Sequence, residues 1–440
     1  MGSYLALTEA DRKEMLSIMG LKSANELFSH IPESIIIDEL KIPPGLSEME
    51  VYDKFYKLAA ENRIFPHIFR GAGSYKHYIP AAVKRIFSNE SFTTAYTPYQ
   101  PELSQGILQN IFEFQTMICR LTGMDASNAS VYDGATAAAE ALNMCRERNK
   151  QGLFVSACSH PHVIETIKTY CTGYGIPVTI IPQDKDGTTD KDALKKLLAD
   201  AAGSAAGVYI PNPNFFGIIE DIPAFAEITH AAGALLVAGV NPISLGILES
   251  PGVLGADIAV GEGQPMGIPV AFGGPYLGFM ACKNALLRKL PGRIAGETTD
   301  SRGQRAFTLT LQAREQHIRR DKASSGICSN QALCALAAAV YMAVMGEEGF
   351  AEAARQCHSK AVYAAKAISE IPGYSLVYPG EFFHEFVTRC PDTEKTLKLL
   401  EEQGILGGYP LSKNELLWCV TETNTKDEID NLVRLLKGAK

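Results

Sequence analysis

Gly134, Ala135 and Thr136 stand at the head of an alanine-rich stretch. A glycine and a hydroxyl at a helix start offer free backbone N–H groups and the positive end of the dipole, a natural cradle for phosphate. The same residues would also serve an ordinary turn and first helical turn. His160 and His162 form an H-x-H pair. No third ligand follows at a recognisable spacing, so no metal site is expected there. The segment Ala95 to Glu102 collects Tyr96, Tyr99, Glu102 and two prolines. Prolines stiffen a loop. Its tyrosines could donate to a carboxylate or phosphate and Glu102 could orient a neighbour, or all three could simply pack. Arg314 to Lys322 is densely charged, as suits a solvated helix face, interchain ion pairs or the docking of an acidic carrier protein. The phosphate-loop, dinucleotide and nucleophile-elbow fingerprints are missing. No lysine occurs between Lys196 and Lys283.

These residues need elements to hold them. The chain has 440 residues, 46% hydrophobic and 20% charged, with net charge -8, the composition of a globular protein of two or three domains. The acidic balance excludes the basic footprint of a nucleic-acid or membrane-surface binder. Ten single cysteines with no C-x-x-C pair read as buried thiols in a reducing compartment. No signal peptide is visible, and the longest apolar run, 332 to 345, is too short for a membrane span. A cytoplasmic location is expected.

Residues 1–60 read as an N-terminal helical arm, with helices over 8–30 and 46–61. Ile107, Ile111, Phe114, Ile118 and Leu121 mark one face of a long helix closed by Gly123. From there short, continuously apolar runs alternate with amphipathic stretches. That alternation requires crossovers and hence parallel strands buried on both faces. Residues 61–310 are therefore expected to form a large α/β domain with a mostly parallel sheet. Residues 311–440 are expected to form a small C-terminal α+β domain, opening with helices at 329–346 and 350–370.

An enzyme of the aspartate-aminotransferase-like fold, dependent on pyridoxal phosphate (PLP), carries three features in order. A phosphate loop at a helix start comes first. An acid at the end of a later strand pairs with the pyridine nitrogen, and a lysine beyond it forms the Schiff base. Here the strand expected to carry the acid ends at Ala238, and Gly261-Glu262-Gly263-Gln264-Pro265 stands where the lysine is due.

Several long strings settle the family resemblance: DRKEML, FRGAGSYKHYIPAAV, AYTPYQPELSQG, YDGATAAAEA, GEGQPMGIPVAFGGPYLGFM and REQHIRRDKASSGICSNQAL. They resemble, nearly end to end, the P-protein family of the glycine cleavage system, and within it the first (alpha) subunit of the two-subunit form. The family's other, beta subunit reads like Asp-Gly-Ala-Asn where this chain has Ala238 to Asn241. It reads like Asn-Leu-His-Lys-Thr where this chain has Gly261 to Pro265. The resemblance therefore implies that Ala238 replaces the acid and Gln264 the Schiff-base lysine. A methyl cannot pair with the ring nitrogen, and an amide cannot form an imine.

The resemblance implies further that PLP sits on the beta subunit. Glycine is the substrate and lipoylated H-protein the acceptor, in a heterotetrameric assembly. Gly134, Ala135 and Thr136 become a vestigial phosphate loop, and His160 a relic of a ring-stacking histidine. Tyr96, Tyr99 and Glu102 are the candidates to complete the partner's site. Thr421 to Asn424 departs from the basic residues associated with the family there. Two other readings stay open: a structural or regulatory pseudoenzyme, and a self-sufficient PLP enzyme using Lys283 or Lys322.

Overall fold

A computed structural model describes residues 6–37, 40–271 and 273–438. The chain divides into two units, Met1–Ile64 and Phe65–Lys440. In the first, α1 (Glu9–Ile18) starts at a capping box, Thr8 and Asp11 bonding each other's backbone N–H. It stops well short of residue 30; the chain continues as 3-10 turns at Ala24–Phe28 and Glu33–Ile35. α2 (Glu48–Ala60) repeats the capping box with Ser47 and Glu50. Neither helix buries a residue.

The second unit opens with β1 (His67–Ile68), α3 (Ala81–Phe87) and α4 (Gln105–Thr122). The stripe expected on α4 is there, with Ile111, Phe114 and Ile118 buried and Gly123 closing the helix in the left-handed region at φ 66°. Then come β2 (Ala126–Ser127), α5 (Gly134–Cys145), β3 (Gly152–Ser156), α6 (Pro161–Gly173), β4 (Val178–Ile181), α7 (Lys191–Asp200), β5 (Ala205–Asn212), α8 (Ile222–Ala231), β6 (Leu235–Val240), β7 (Ile258–Glu262) and β8 (Gly278–Cys282). The strands form one seven-stranded sheet in the order β2-β8-β7-β6-β5-β3-β4. β4, β3, β5, β6 and β7 run parallel, while β8 is antiparallel to both neighbours.

Why these runs are apolar throughout is visible in their packing. Leu236, Ala238, Ala259 and Phe279 join one core with α4, α8 and residues 334–354. Val237, Ile258, Val260 and Met280 join a second with α5 and α6. Burial on both faces makes the central strands apolar except at their carboxyl ends, where Ser156, Asn212 and Glu262 stand.

The rest of the chain begins with a hairpin that the sequence pattern did not reveal, β9 (Ile294–Thr299) and β10 (Arg305–Thr310). After α9 (Gln316–Arg319) comes α10 (Ala332–Ser369), which joins the two helices expected at 329–346 and 350–370 through a kink at Gly346, φ 61°. Among the described residues α10 alone is long and apolar enough to cross a membrane. Its buried residues, from Cys334 to Ile368, belong to the protein's own cores instead. β11 (Ser375–Leu376), β12 (Glu385–Arg389), α11 (Thr393–Glu402), β13 (Ile405–Leu406), β14 (Tyr409–Ser412), β15 (Glu415–Cys419) and α12 (Lys426–Gly438) follow. Four of these strands form an antiparallel sheet ordered β11-β12-β15-β14. β13 pairs in parallel with β1, so the chain just after the arm is tied to the C-terminal part. Trp418 is fully buried and donates its indole N–H to Thr388 at 2.8 Å.

α5 owes its place to small residues. It is alanine-rich with nine buried positions, and opposite it β5 presents Gly207, whose hypothetical Cβ would meet Cys145 at 2.9 Å. Gly207→Val should therefore lower stability by about 1–3 kcal/mol through overpacking. Urea unfolding would measure it, and an unchanged midpoint would contradict this packing.

Candidate functional site

At the carboxyl ends of the parallel strands lies a cavity of about 450 Å³, where open α/β sheets place ligands. β6 and the turn after it contribute Gly239, Val240 and Asn241, and β7 contributes Gly261 and Glu262. Gly134 and Ala135 come from the start of α5, and His160 and His162 from the start of α6. The loop over residues 72–75 and Tyr276 close it.

The helix start expected to cradle phosphate is already occupied from within the chain. Asp133 caps α5, its carboxylate accepting the Thr136 N–H at 2.7 Å. The Glu262 carboxylate accepts the Gly134 N–H at 3.0 Å, and also the N–H groups of Gln264 and Leu277, each at 2.9 Å. A Cβ on residue 134 would lie 2.9 Å from Glu262, which explains the glycine there. Burial pushes the Glu262 carboxyl up to about 7, against the pull of those three N–H donors. No lysine or arginine lines the cavity among the described residues. A phosphate entering here would meet two carboxylates and no cation.

Gln264 is 1% exposed and is not part of the cavity wall. Its amide oxygen accepts the Tyr75 N–H at 3.0 Å, and its amide nitrogen donates to Tyr75 O at 2.9 Å and Ile268 O at 2.8 Å. Both amide hydrogens and the amide oxygen are engaged, bracketing Tyr75 of the 71–80 loop to the segment after β7. A lysine could not accept the Tyr75 N–H. Ala238 is fully buried among the apolar residues of the first core and is not part of the cavity wall. His160 is likewise committed. Its Nδ1 accepts the His162 N–H at 3.1 Å and its Nε2 donates to Ala72 O at 2.9 Å. Burial holds its pKa below the ordinary histidine value. With both nitrogens used, the H-x-H pair offers no metal ligand from His160.

The alternative lysines lie elsewhere. Lys283 pairs with Asp257 at 3.4 Å, and Asp257 precedes β7, at the end of the sheet opposite the cavity. Lys322 is exposed in a 3-10 turn. The Tyr96 loop is also apart from the cavity. Tyr96 is 83% exposed, Glu102 is exposed, and Tyr99 is half-exposed. Arg293 donates to the Tyr99 hydroxyl at 3.0 Å and His317 stands edge-on to its ring. The charged segment beyond is only partly solvated. Arg314 donates to the carbonyls of Leu290 and Gly292 and Glu315 is buried, whereas Arg319, Arg320 and Lys322 are exposed.

Spacing alone did not reveal Glu385. Its carboxylate accepts the Ala72 N–H at 2.7 Å and the Tyr75 hydroxyl at 2.7 Å, fixing the same loop from the other side. Thr421 holds it too, donating to Lys76 O, and Asn424 donates to Ile68 O in β1.

The glycine cleavage system P-protein model matches residues 2–436. The chain belongs to that family. Its relatives include the probable glycine dehydrogenase (decarboxylating) subunit 1 of Moorella thermoacetica, 49% identical over 99% of both chains. That of Anoxybacillus flavithermus is 50% identical over 98% of both. A crystal structure of glycine decarboxylase (P-protein) in inhibitor-bound form superposes with TM-score 0.92 at 40% identity over 100% of both chains. Mouse CSAD, at 15% identity and TM-score 0.69 over 95% of this chain and 92% of that one, shares the fold alone. The fold is thus that of the PLP-dependent transferases, as the family resemblance implied, and PLP belongs to the chemistry of the P-protein family. The naming of its relatives as subunit 1 implies a second subunit. In this member, the carboxylates at the α5 start and the bracketed Gln264 do not fit PLP.

Burial pushes Glu140, Glu220, Glu262 and Glu385 each up to about 7. A carboxyl raised on folding binds its proton more tightly in the native state. The stability it contributes is complete below its unfolded value near 4.5 and is lost as pH rises through about 7. Each group steepens the loss by at most roughly 1.4 kcal/mol per pH unit. In Glu385→Gln the new amide can donate to the Tyr75 oxygen, so denaturation midpoints measured from pH 5 to 8 should fall less steeply than in wild type. An unaltered slope would show that Glu385 does not titrate in this range.

Proposed function

We propose that this chain is the subunit of a two-subunit glycine decarboxylase that does not hold the cofactor. The single observation carrying this reading is the Glu262 carboxylate on the Gly134 N–H, at the spot a PLP phosphate would need. PLP is bound by the lysine-bearing beta subunit. There glycine loses carbon dioxide, and its aminomethyl group passes to the lipoyl disulfide of H-protein. This chain works in the cytoplasm as the neighbour that completes the beta subunit's site.

The loop of Tyr96, Tyr99 and Glu102 is its contribution to that site. Exposed tyrosines and a carboxylate on a proline-stiffened loop, joined directly to α4, suit a segment that reaches a neighbouring chain. Arg293 and His317 brace Tyr99 from behind, leaving Tyr96 free to bond outward. Positioning of this kind lowers a barrier by holding the substrate in a reactive orientation.

The chain alone should show no glycine–carbon dioxide exchange, and adding the beta subunit should restore it. In the assembled enzyme Tyr96→Phe should reduce turnover about 10- to 100-fold with unchanged assembly by size-exclusion chromatography. Unchanged turnover in both Tyr96→Phe and Tyr99→Phe would leave this chain a scaffold, and exchange by the chain alone would remove the reading altogether.

A further inference from the structure

Away from the cavity, three residues of different chemistry converge from distant parts of the chain. His77 comes from the 71–80 loop, Cys357 from the middle of α10, and Glu422 from the segment after β15. His77 Nδ1 stands 2.7 Å from Glu422 Oε2, and Cys357 Sγ stands 3.2 Å from the same oxygen. One ligand atom from each lies within 4.8 Å of the others. The His77 side chain is 1% exposed and that of Glu422 14%.

We propose that His77, Cys357 and Glu422 form a binding site for a divalent transition-metal ion of the zinc class. Imidazole, thiolate and carboxylate are the donors such ions take, with three protein ligands leaving a fourth position open. A tetrahedral ion with bonds of roughly 2.0–2.3 Å separates its ligand atoms by roughly 3.3–3.7 Å. The two contacts to Glu422 need only widen slightly to admit it.

The cluster is under-bonded as it stands. His77 Nε2 and the hydroxyl of Tyr341 are both buried without a partner. Tyr341 is close enough for the charges of Glu422 and Cys357, after burial, to raise its pKa. Among the described residues no ammonium pairs with the Glu422 carboxylate, and the charge of Lys360 is only a minor influence on Cys357. Lys360 bonds the Glu422 backbone oxygen instead of its carboxylate. Burial would raise the Glu422 carboxyl, but the hydrogen bond and charge of His77, with the Tyr78 N–H and the Cys357 thiol, hold it at about 2. Burial and the Glu422 charge keep Cys357 a thiol until a cation takes the proton's place. Metal ligands bind deprotonated, so binding displaces the proton of the Cys357 thiol and leaves the Nδ1 lone pair of His77 facing the ion. A surface pocket lined by Tyr78, Glu352, Gln356 and Glu422 gives access.

The ion would clamp the 71–80 loop, which also carries the Gln264 bracket, to α10. The site is independent of where PLP binds, so its test can fail without touching that reading. Metal-stripped chain should bind Co2+ one to one, with a thiolate-to-cobalt charge-transfer band and the intense visible bands of tetrahedral cobalt. Both should persist in Cys328→Ser, which removes the exposed thiol, and disappear in Cys357→Ser. Glu422→Gln should weaken binding at least tenfold in competition with a chelator. As a check that needs no variant, Zn2+ should slow alkylation of Cys357 in the wild-type chain, read by mass spectrometry. A wild-type chain with no cobalt–thiolate band, a band that survives Cys357→Ser, or alkylation unaffected by Zn2+ would overturn the proposal.

Discussion

A carboxylate at the positive end of a buried helix governs the cavity. Helix starts leave N–H groups unsatisfied and attract anions. In this protein Glu262 supplies the anion from the end of β7, and Asp133 adds a second from the cap. A carboxyl tethered to the chain is present at every moment, whereas a diffusing phosphate must displace it and leave it buried without its N–H partners. The anion position at the α5 start is filled from within the chain, and Gln264 beyond β7 is put to structural use.

That structural use runs through the 71–80 loop. Gln264 grips it by the backbone of Tyr75, Glu385 by the Ala72 N–H and the Tyr75 hydroxyl, and Thr421 by Lys76 O. The wall of the cavity is thus pinned from β7, β12 and the segment beyond β15.

How much of this the sequence disclosed follows from the range of each interaction. The stripe on α4 and the alternation of strands and helices are local patterns, and they give the α/β class and the element order. The reading of Ala238 and Gln264 as replacements comes from the resemblance alone, which sets them beside a lysine-bearing chain. The role of Glu262 was not, since its partner Gly134 lies 128 positions earlier. The His77–Glu422 pair spans 345 positions and the Cys357–Glu422 contact 65, so no spacing rule finds them. The β9–β10 hairpin was missed because its strands carry exposed polar residues such as Thr298 and Arg305 instead of a continuous apolar run. The 3-10 turns after α1 escaped because capping and an apolar stripe mark where a helix begins better than where it ends.

The central claim is that this chain cannot anchor the cofactor and its companion does. Borohydride reduction of the assembled enzyme loaded with PLP, followed by peptide mapping of both subunits, tests it most directly. The account predicts a pyridoxyl-lysine in the beta subunit alone and none in this chain. A stoichiometric pyridoxyl adduct on any lysine of this chain would contradict it.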